Sequence, residues 1–360
     1  MVTMNGLYQN SLQLILRHQS KEGAFIASPN FKPYQYAWFR DGSFCAYALA
    51  QAGYEQNAFK FHQWASQVVL SFQPKLLKCI EDTRRGRPPI PALCFHSRFT
   101  LDGHEVPGNW GHHQLDGLGT WLWAMNEFQR ANPDQALPDQ WKQAAILIKD
   151  YLVSMWCYPC SDCWEENENR LHTYTLAAIF AGLESYSALL NDATVKTVSE
   201  QVRSFIFKNC VNGDIFIKSI GIPEIDANLI GLFIPYHLVD WANPFFQKTL
   251  YHIQKELATP VGLHRYRKDT YYGGGEWVLL TDWLGWAYVH AGESDSARPI
   301  LEWTEAQVTR QGELPEQVPH ALFDEVSYTL WDKRWGPIAT PLLWSHAMYI
   351  ILAKSVEQMS

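Results

Sequence analysis

Apolar residues recur along most of the chain at the 3.6-residue spacing that places them on one face of an α-helix. This pattern predicts twelve helices, near residues 5–18, 42–53, 56–74, 115–131, 138–155, 172–190, 193–208, 224–235, 240–257, 276–291, 294–310 and 340–356. Strand patterns are few and short, and the clearest covers residues 214–217. The sequence therefore predicts an all-α fold.

The links between these helices alternate between short and long. Short links near residues 52–55, 191–192 and 292–293 favour αα-hairpins. Long links fall near residues 20–41, 75–114, 156–171, 209–223, 258–275 and 311–339, and loops of this length usually have a function. We expect six hairpins in an outer and an inner ring, an (α/α)6 barrel with every long loop at one mouth. A helical solenoid is the alternative, but no repeat of fixed period supports it.

Composition and charge narrow the class of function. Lys and Arg total 29 against 37 Asp and Glu, a net charge of −8, which disfavours nucleic acid and anionic membranes as partners. The chain has neither a long apolar run nor a signal-peptide pattern, so we expect a cytoplasmic protein with one domain over residues 1–360. Its 16 Trp, 17 Tyr and 18 Phe, many beside polar loop residues, favour a sugar ligand.

Charged and aromatic residues occur together in the long loops. The first long loop contains Tyr34 and Trp38 and leads into Arg40 and Asp41, and Asp41 is placed to cap the second helix. Such an Arg–Asp pair can be a structural cap, or it can hold the hydroxyls of a terminal sugar. Trp110 begins a similar aromatic, amide and carboxylate combination before the fourth helix, although acidic residues are common at helix starts for electrostatic reasons.

Two long loops contain acidic candidates for catalysis. Glu165 and Glu166 follow Trp164, and a carboxyl group beside an indole and a second carboxylate has a raised pKa, which suits a general acid. Glu316 in the last long loop is the other candidate, although acidic turns are often merely solvated. Two carboxyl groups flanking a glycosidic bond are sufficient for hydrolysis: one protonates the leaving oxygen and the other activates water or attacks carbon.

The seven cysteines do not indicate a disulfide framework, since their number is odd and no export signal precedes them. Cys157, Cys160 and Cys163 have the spacing of a metal site. An iron–sulfur run would need a fourth cysteine where Asn167 stands, and zinc would need a ligand from elsewhere. We therefore expect no metal and no cofactor.

Six motifs follow one another in the order Tyr-Ala-Trp-Phe-Arg-Asp, Trp-Gly-x-x-Gln-x-Asp-Gly, Trp-Glu-Glu, Arg-Tyr-x-x-Asp-Thr-Tyr-Tyr-x-Gly, Pro-Glu-Gln-Val and Leu-Trp-Ser. Together they resemble the glucoamylase-like enzymes of glycoside hydrolase family 15, from about Tyr34 to Trp344. The resemblance implies an (α/α)6 catalytic domain, an inverting exo-acting α-glucosidase that releases β-glucose from the non-reducing ends of α-gluco-oligosaccharides.

The resemblance also implies roles for particular residues. Glu165 corresponds to the general acid and Glu316 to the general base that activates water. Contacts to the sugar are implied for Arg40, Asp41, Glu166 and Arg265. Aromatic lining of the pocket is implied for Tyr34, Trp38, Trp110 and Trp344.

Departures from the family pattern shape the expected substrate. The chain contains neither a starch-binding module nor a β-sandwich domain before the barrel, which favours soluble oligosaccharides over granular starch. Residues 167–173 differ from the run found in fungal glucoamylases, so the resemblance leaves the preferred linkage open.

Two further interpretations remain from the residues. A non-catalytic sugar-binding or regulatory domain could use the same barrel, because fold does not determine chemistry, but the presence of both Glu165 and Glu316 argues against it. A cyclase or prenyl-transferring barrel would need an Asp-rich metal-binding run or a zinc site, and the sequence shows no Asp-rich run.

Overall fold

The computed structural model describes residues 4–108 and 110–359, and helices dominate this part of the chain. Within it lie thirteen α-helices: α1 Met4–Arg17, α2 Phe39–Gln51, α3 Glu55–Ser71, α4 Gln73–Arg84, α5 Asp116–Ala131, α6 Asp139–Met155, α7 Thr173–Leu190, α8 Lys196–Asn209, α9 Pro244–Leu257, α10 Val278–His290, α11 Ser294–Ala306, α12 Glu325–Trp335 and α13 Leu343–Met359. The predicted all-α class is confirmed.

Short strands occur as antiparallel pairs of two residues each. The described residues form β1 Ala37–Trp38 with β2 Arg98–Phe99, β3 Val211–Asn212 with β4 Ile215–Phe216, and β5 Glu276–Trp277 with β6 Gln317–Val318. The first and third pairs join long loops that are distant in sequence. These two strand pairs therefore join the loops to each other, while the helices form the body of the fold.

Two concentric rings of helices make up the barrel. In the inner ring α2, α5 and α7 pack in succession, the 3₁₀ segment Ala227–Leu232 connects α7 to α10, and α13 closes the ring against α2. The outer elements α1, α3, α6, α8, α9 and α11 each pack against an inner element. The (α/α)6 arrangement predicted from the alternating link lengths is confirmed.

The inner helices α5 and α7 approach so closely that only glycine fits between them. A Cβ atom on Gly119 would lie 2.2 Å from the carbonyl oxygen of Ala178, and one on Gly182 would lie 2.6 Å from the Cα of Gly119. Any side chain at either position would force the two backbones apart. These two glycines therefore set the width of this side of the inner ring.

Several predicted elements were wrong in detail. The predicted helix 224–235 is only the 3₁₀ segment Ala227–Leu232, whose first turn is capped by Asp226 accepting from the Asn228 amide at 3.0 Å. Pro235 follows closely and has no N–H with which to extend a helix. The predicted strand 214–217 is confirmed, because it contains β4, which pairs with β3 in a hairpin.

The long loops 75–114 and 311–339 are not loops throughout, because they contain most of α4 and all of α12. Helix α4 buries only Leu76, Cys79 and Ile80, and none of the residues in α12 is fully buried. Helix α12 therefore lacks a buried apolar stripe, whereas α4 has a short one of a single turn that the sequence analysis did not recognise.

The start of α2 also differs from the prediction. Asp41 does not cap the helix, because the helix begins at Phe39 and its N-cap is Trp38, which is extended and makes no side-chain cap. Trp38 is held in this extended form by pairing with Arg98 across β1 and β2. Asp41 therefore lies in the first helical turn, where a carboxylate interacts favourably with the helix dipole.

The cysteine triplet lies beside the catalytic loops. Cys160 and Cys163 are buried, whereas Cys157 is exposed, and the Cys163 sulfur accepts a hydrogen bond from the Asn228 side-chain amide at 3.2 Å. Across the residues described, no three His, Cys, Asp or Glu side chains are grouped as metal ligands would be. In the same residues, no helix is both long and apolar enough to cross a bilayer.

Candidate active site

A cavity of about 290 Å³ lies among the long loops that connect the helices. Its wall contains all ten residues that the sequence suggested for the site: Tyr34, Trp38, Arg40, Asp41, Trp110, Glu165, Glu166, Arg265, Glu316 and Trp344. They come from β1, from the first turns of α2 and α13, and from the long loops between. The structure thus brings every predicted site residue to one place, while their chemical roles remain predictions.

A buried ion pair forms one part of the wall. Arg40 Nη2 lies 3.2 Å from Asp41 Oδ2, and Arg40 Nη1 donates to the side chains of Gln114 and Asp116 at 3.2 and 3.3 Å. The guanidinium also lies 5.0 Å from the ring centre of Trp344. Burial raises the pKa of Asp41, and the charge of Arg40 opposes this shift. Gln114, Asp116 and Trp344 therefore hold the Arg40–Asp41 pair in place. The pair lines the cavity, where its charged atoms could contact a ligand.

Glu165 receives two hydrogen bonds on a single oxygen. Its Oε1 accepts from the indole N–H of Trp38 at 2.6 Å and from the Gln114 amide at 3.1 Å. Burial raises the pKa of Glu165, and the positive charge of Arg40 and the two donors act against the shift. Because both donors occupy Oε1, Oε2 is the oxygen available to carry a proton toward a substrate.

The turn around Glu165 has an unusual backbone. Glu165 adopts a φ of 68°, in the left-handed region that non-glycine residues rarely occupy. Asp162 stabilises this turn, because its Oδ1 accepts from the amides of Trp164 and Glu166 at 3.0 and 2.9 Å, and its carbonyl accepts from the Glu165 amide at 2.9 Å. Such strain persists only where the surroundings impose it, so the direction of the Glu165 side chain is set by its turn.

Glu166 has an environment opposite to that of its neighbour. Its Oε1 accepts from Arg265 at 3.0 Å, its Oε2 accepts from the Tyr266 hydroxyl at 2.6 Å, and the Lys218 ammonium lies 3.8 Å from Oε2. Burial acts to raise the pKa of Glu166, but the charges of Arg265 and Lys218 and the Tyr266 hydroxyl outweigh it, so the pKa is lowered. Glu166 therefore stays ionised, which leaves Glu165 as the better proton donor of the two.

Arg265 is held in place by a second carboxylate and by aromatic rings. Its Nε and Nη2 donate to the two oxygens of Asp269 at 2.8 and 2.5 Å. The guanidinium also lies 5.2 Å from the ring centre of Trp164 and 5.1 Å from that of Trp277. A bidentate and stacked arginine offers donors in a fixed geometry, which suits it to orient a polar ligand.

Glu316 directly precedes β6, which pairs with β5. Its amide donates to the Ala339 carbonyl at 2.9 Å and its carbonyl accepts from the Val278 amide at 3.2 Å, so its backbone is anchored on both sides. Burial raises the pKa of Glu316 to about 8, against the charge of Arg265 and the neighbouring hydroxyls of Tyr34 and Tyr271. These two hydroxyls are 2.9 Å apart and bonded to each other.

Several buried polar atoms in the cavity wall have no hydrogen-bond partner among the described residues. They are Arg40 Nε, Asp41 Oδ2, Glu316 Oε2 and the indole nitrogens of Trp110, Trp277 and Trp344, and of these Asp41 Oδ2 is ion-paired with Arg40. Buried polar atoms are almost always bonded in folded proteins. Two acceptors and four donors that surround one cavity match the donor and acceptor character of sugar hydroxyls.

Sequence reasoning missed several residues of the wall. Trp164, Tyr271 and Trp277 lie in segments that were already identified as aromatic, so their places could have been inferred. Trp331 and Trp335 come from the unpredicted helix α12, although their spacing of four residues places them on one helical face. No pattern in the sequence indicated Lys218, which lies behind the cavity.

Comparison with known proteins identifies the family. Residues 1–324 match the model for glycosyl hydrolases family 15. The chain is 36% identical over 359 residues to an isomaltose glucohydrolase of Kribbella flavida, over 97% of this chain and 92% of that protein. It is 26% identical to an uncharacterized glycosyl hydrolase of Methanocaldococcus jannaschii, over 95% of this chain and 54% of that protein.

Solved structures agree with this match. A wild-type glycosidase superposes with a TM-score of 0.94 at 35% identity, over 98% of this chain and 97% of that one, and a related glycosidase structure in complex with glucose has the same TM-score at 34% identity and the same coverage. A glucoamylase from Saccharomycopsis fibuligera, at 14% identity and a TM-score of 0.75 over 99% of this chain and 95% of that one, shares the fold. The chain belongs to glycosyl hydrolases family 15, and it is a glycoside hydrolase.

Proposed function

We propose that the protein is an inverting exo-acting α-glucosidase that releases β-glucose from the non-reducing end of short α-gluco-oligosaccharides, with isomaltose as the preferred substrate. The observation that carries the proposal is the pair of carboxyl groups in one cavity, the half-buried Glu165 and the buried Glu316, each with its pKa raised by desolvation. The neighbouring Glu166 is held ionised and does not compete as a proton donor.

The proposed reaction assigns one proton transfer to each carboxyl group. Glu165 gives its proton to the glycosidic oxygen as the bond to the anomeric carbon breaks. Water attacks that carbon from the opposite face and gives its proton to Glu316 as the new C–O bond forms. Inversion requires carboxyl groups about 6.5 to 9.5 Å apart, so that water fits between one of them and the sugar.

Exo action is supported by the Arg40–Asp41 pair. The pair is backed by the fully buried Asp116 and by Trp344, so the chain of a polysaccharide has no path through this part of the wall. A guanidinium and a carboxylate can hold adjacent hydroxyls of one terminal sugar. The substrate would therefore enter with its non-reducing end first.

A short substrate is supported by helix α12. Its Trp331 and Trp335 line the cavity, and the Trp335 ring is nearly parallel to that of Trp110, at 18° and with ring centres 6.0 Å apart. These rings provide apolar faces of the kind on which sugars stack, and they restrict the space beyond the first units. The 36% identity to a protein named isomaltose glucohydrolase supports the α-1,6 linkage.

The decisive experiment follows the anomers of glucose by time-resolved proton NMR. Isomaltose, maltose, isomaltotriose, maltotriose and dextran would each be incubated with the protein. We expect β-glucose to appear first and isomaltose to give the highest kcat/KM. If α-glucose appeared first, the mechanism would be retaining. Preferred cleavage of dextran would exclude the short-substrate assignment, and release of oligosaccharides from dextran in place of glucose would exclude exo action.

The carboxyl roles predict the behaviour of two variants. Glu165→Gln and Glu316→Gln should each reduce kcat on isomaltose by about 10²- to 10⁴-fold, because each loses one proton transfer. With α-glucosyl fluoride, whose leaving group needs no protonation, Glu165→Gln should lose much less activity, whereas Glu316→Gln should lose as much as before.

A matched control for these variants is Glu168→Gln, which changes an exposed glutamate in the same loop as Glu165. It should keep the wild-type rate on both substrates. Wild-type rates in Glu165→Gln or in Glu316→Gln would remove that residue from the mechanism.

A further inference from the structure

A buried lysine lies behind the active-site cavity. Lys218, in the link between β4 and the 3₁₀ segment, is only 4% exposed. Its ammonium donates to Asp226 Oδ2 at 2.9 Å and lies 3.5 Å from Asp162 Oδ2 and 3.8 Å from Glu166 Oε2. One buried cation therefore serves three carboxylates, and burying charge in this way is costly unless it is closely paired.

Two of these carboxylates connect Lys218 to the turn that carries Glu165. Asp226 Oδ2 also accepts from the Trp164 indole N–H at 2.9 Å. Asp162, through its other oxygen, accepts the amides on either side of Glu165. Lys218 thus binds both groups that hold the strained turn from behind.

The lysine itself is firmly held. Its carbonyl accepts from the Thr173 amide at the start of α7 at 3.1 Å, and its amide donates to the Glu224 carbonyl at 2.8 Å. Its ammonium lies 3.5 Å from the ring centre of Tyr266, whose hydroxyl donates to Glu166. Lys218 therefore links the start of α7 to the turn that contains Glu165.

The charged and titratable groups that face this ammonium come from several segments. They are Asp162, Glu166, His172, Asp226, Arg265 and Tyr266. Arg265 is the second cation beside Glu166 and is already engaged by Asp269. Removing Lys218 would leave Arg265 as the one remaining cation, among these six groups, to balance the carboxylates.

We propose that Lys218 is a positioning residue for catalysis, which holds the Trp164–Glu166 turn in its strained form and maintains Glu166 as a carboxylate. Glu165 then remains the proton donor. This inference rests on the proposed function, because it assumes that Glu165 is the general acid. Without Lys218 the turn relaxes and the pKa of Glu166 rises, so that this carboxylate also becomes protonated on the acid limb of the activity profile.

The test compares Lys218→Met, which removes the charge, with Lys218→Arg, which keeps it. For Lys218→Met we expect kcat on isomaltose to fall roughly 10-fold or more, within the contribution of a general acid, with a smaller change in KM. The acid limb of its kcat–pH profile should become steeper, because a second carboxylate now protonates there. Lys218→Arg should recover the wild-type shape of the profile.

Two further variants keep the test decisive. Lys248→Met removes an exposed lysine paired with Asp214 and should leave kcat and the profile unchanged. If Lys218→Met does not fold, the double variant Lys218→Met/Asp226→Asn removes the buried cation together with its nearest carboxylate, and the same steeper limb is expected.

The inference is overturned if kcat stays within about twofold and the profile keeps its shape, or if Lys218→Arg loses as much activity as Lys218→Met with no change in the profile, which would indicate a structural role. Failure of the proposed function looks different. It would appear in the wild-type protein as α-glucose released first, or as full activity in Glu165→Gln.

Discussion

At the scale of single residues, two adjacent glutamates differ because different partners surround them. Glu165 receives neutral donors from Trp38 and Gln114, and burial dominates its titration. Glu166 receives charged donors, which outweigh burial. Two side chains of the same type that are next to each other in sequence can thus have pKa values shifted in opposite directions, raised for Glu165 and lowered for Glu166.

Tyr271 provides a prediction about pH at this scale. Its hydroxyl helps to lower the pKa of Glu316, which burial raises to about 8. In Tyr271→Phe that help is lost, so the pKa of Glu316 rises further. Because a general base must be ionised, the acid limb of the kcat/KM–pH profile should move to higher pH.

The profile would be measured on isomaltose, with Tyr251→Phe, an exposed tyrosine on α9, as the control that leaves the limb in place. An acid limb that stays where it is, or that moves to lower pH, would exclude Glu316 as the base that Tyr271 supports.

At the scale of elements, short strand pairs and one additional helix build the site on the barrel. The β1–β2 pair holds Trp38 extended, and the β5–β6 pair places Glu316 beside the start of α10. Helix α12 covers the cavity from outside the rings, with Trp331 and Trp335 facing inward and Val326 and Leu330 largely exposed. The two rings support the site, and the links decide its shape.

The position of Trp335 in the cavity wall predicts how Trp335→Ala changes activity. Loss of one aromatic contact worth about 0.5 to 1.5 kcal/mol should lower kcat/KM for isomaltose roughly 2- to 10-fold. Cleavage of isomaltotriose should fall less, because the wall that excludes longer chains is removed. Kinetics on both sugars measure this change, with Val326→Ala on the exposed face of α12 as control. Equal losses on both substrates would show that α12 does not select for length.

At the scale of the whole molecule, the barrel buries histidines in their neutral form. His62 and His346 are 1% and 0% exposed, and burial lowers the pKa of each to about 3. Between pH 3 and the ordinary value of 6.5 the unfolded chain binds more protons at these positions than the folded one. By linkage, their contribution to stability is complete above pH 6.5 and is lost as the pH falls through this range.

The variant His62→Gln cannot gain this charge, so its free energy of unfolding should fall less steeply with decreasing pH than that of the wild type. The difference in slope should approach 1.4 kcal/mol per pH unit between pH 6 and 4. Urea unfolding followed by circular dichroism at several pH values would measure it. His104→Gln, on an exposed side chain, should keep the wild-type slope, and parallel curves for His62→Gln and the wild type would contradict the prediction.

The sequence by itself determined the rings and the membership of the site. Apolar spacing located most helices, because a buried helical face must repeat every 3.6 residues. The alternation of short and long links placed the polar aromatic motifs at one mouth, and the ten residues implied by the resemblance to the family do line one cavity there. These features depend on neighbours in the chain, which a sequence displays directly.

The tertiary structure alone decided the shape and charge of the site. Helix α12 has no buried apolar stripe, so its role as a wall depends on Tyr271 and Tyr272, which it packs against. The ionised state of Glu166 depends on Arg265, 99 positions away, and on Lys218. Burial and contacts between distant segments set these properties, and the local sequence shows neither of them.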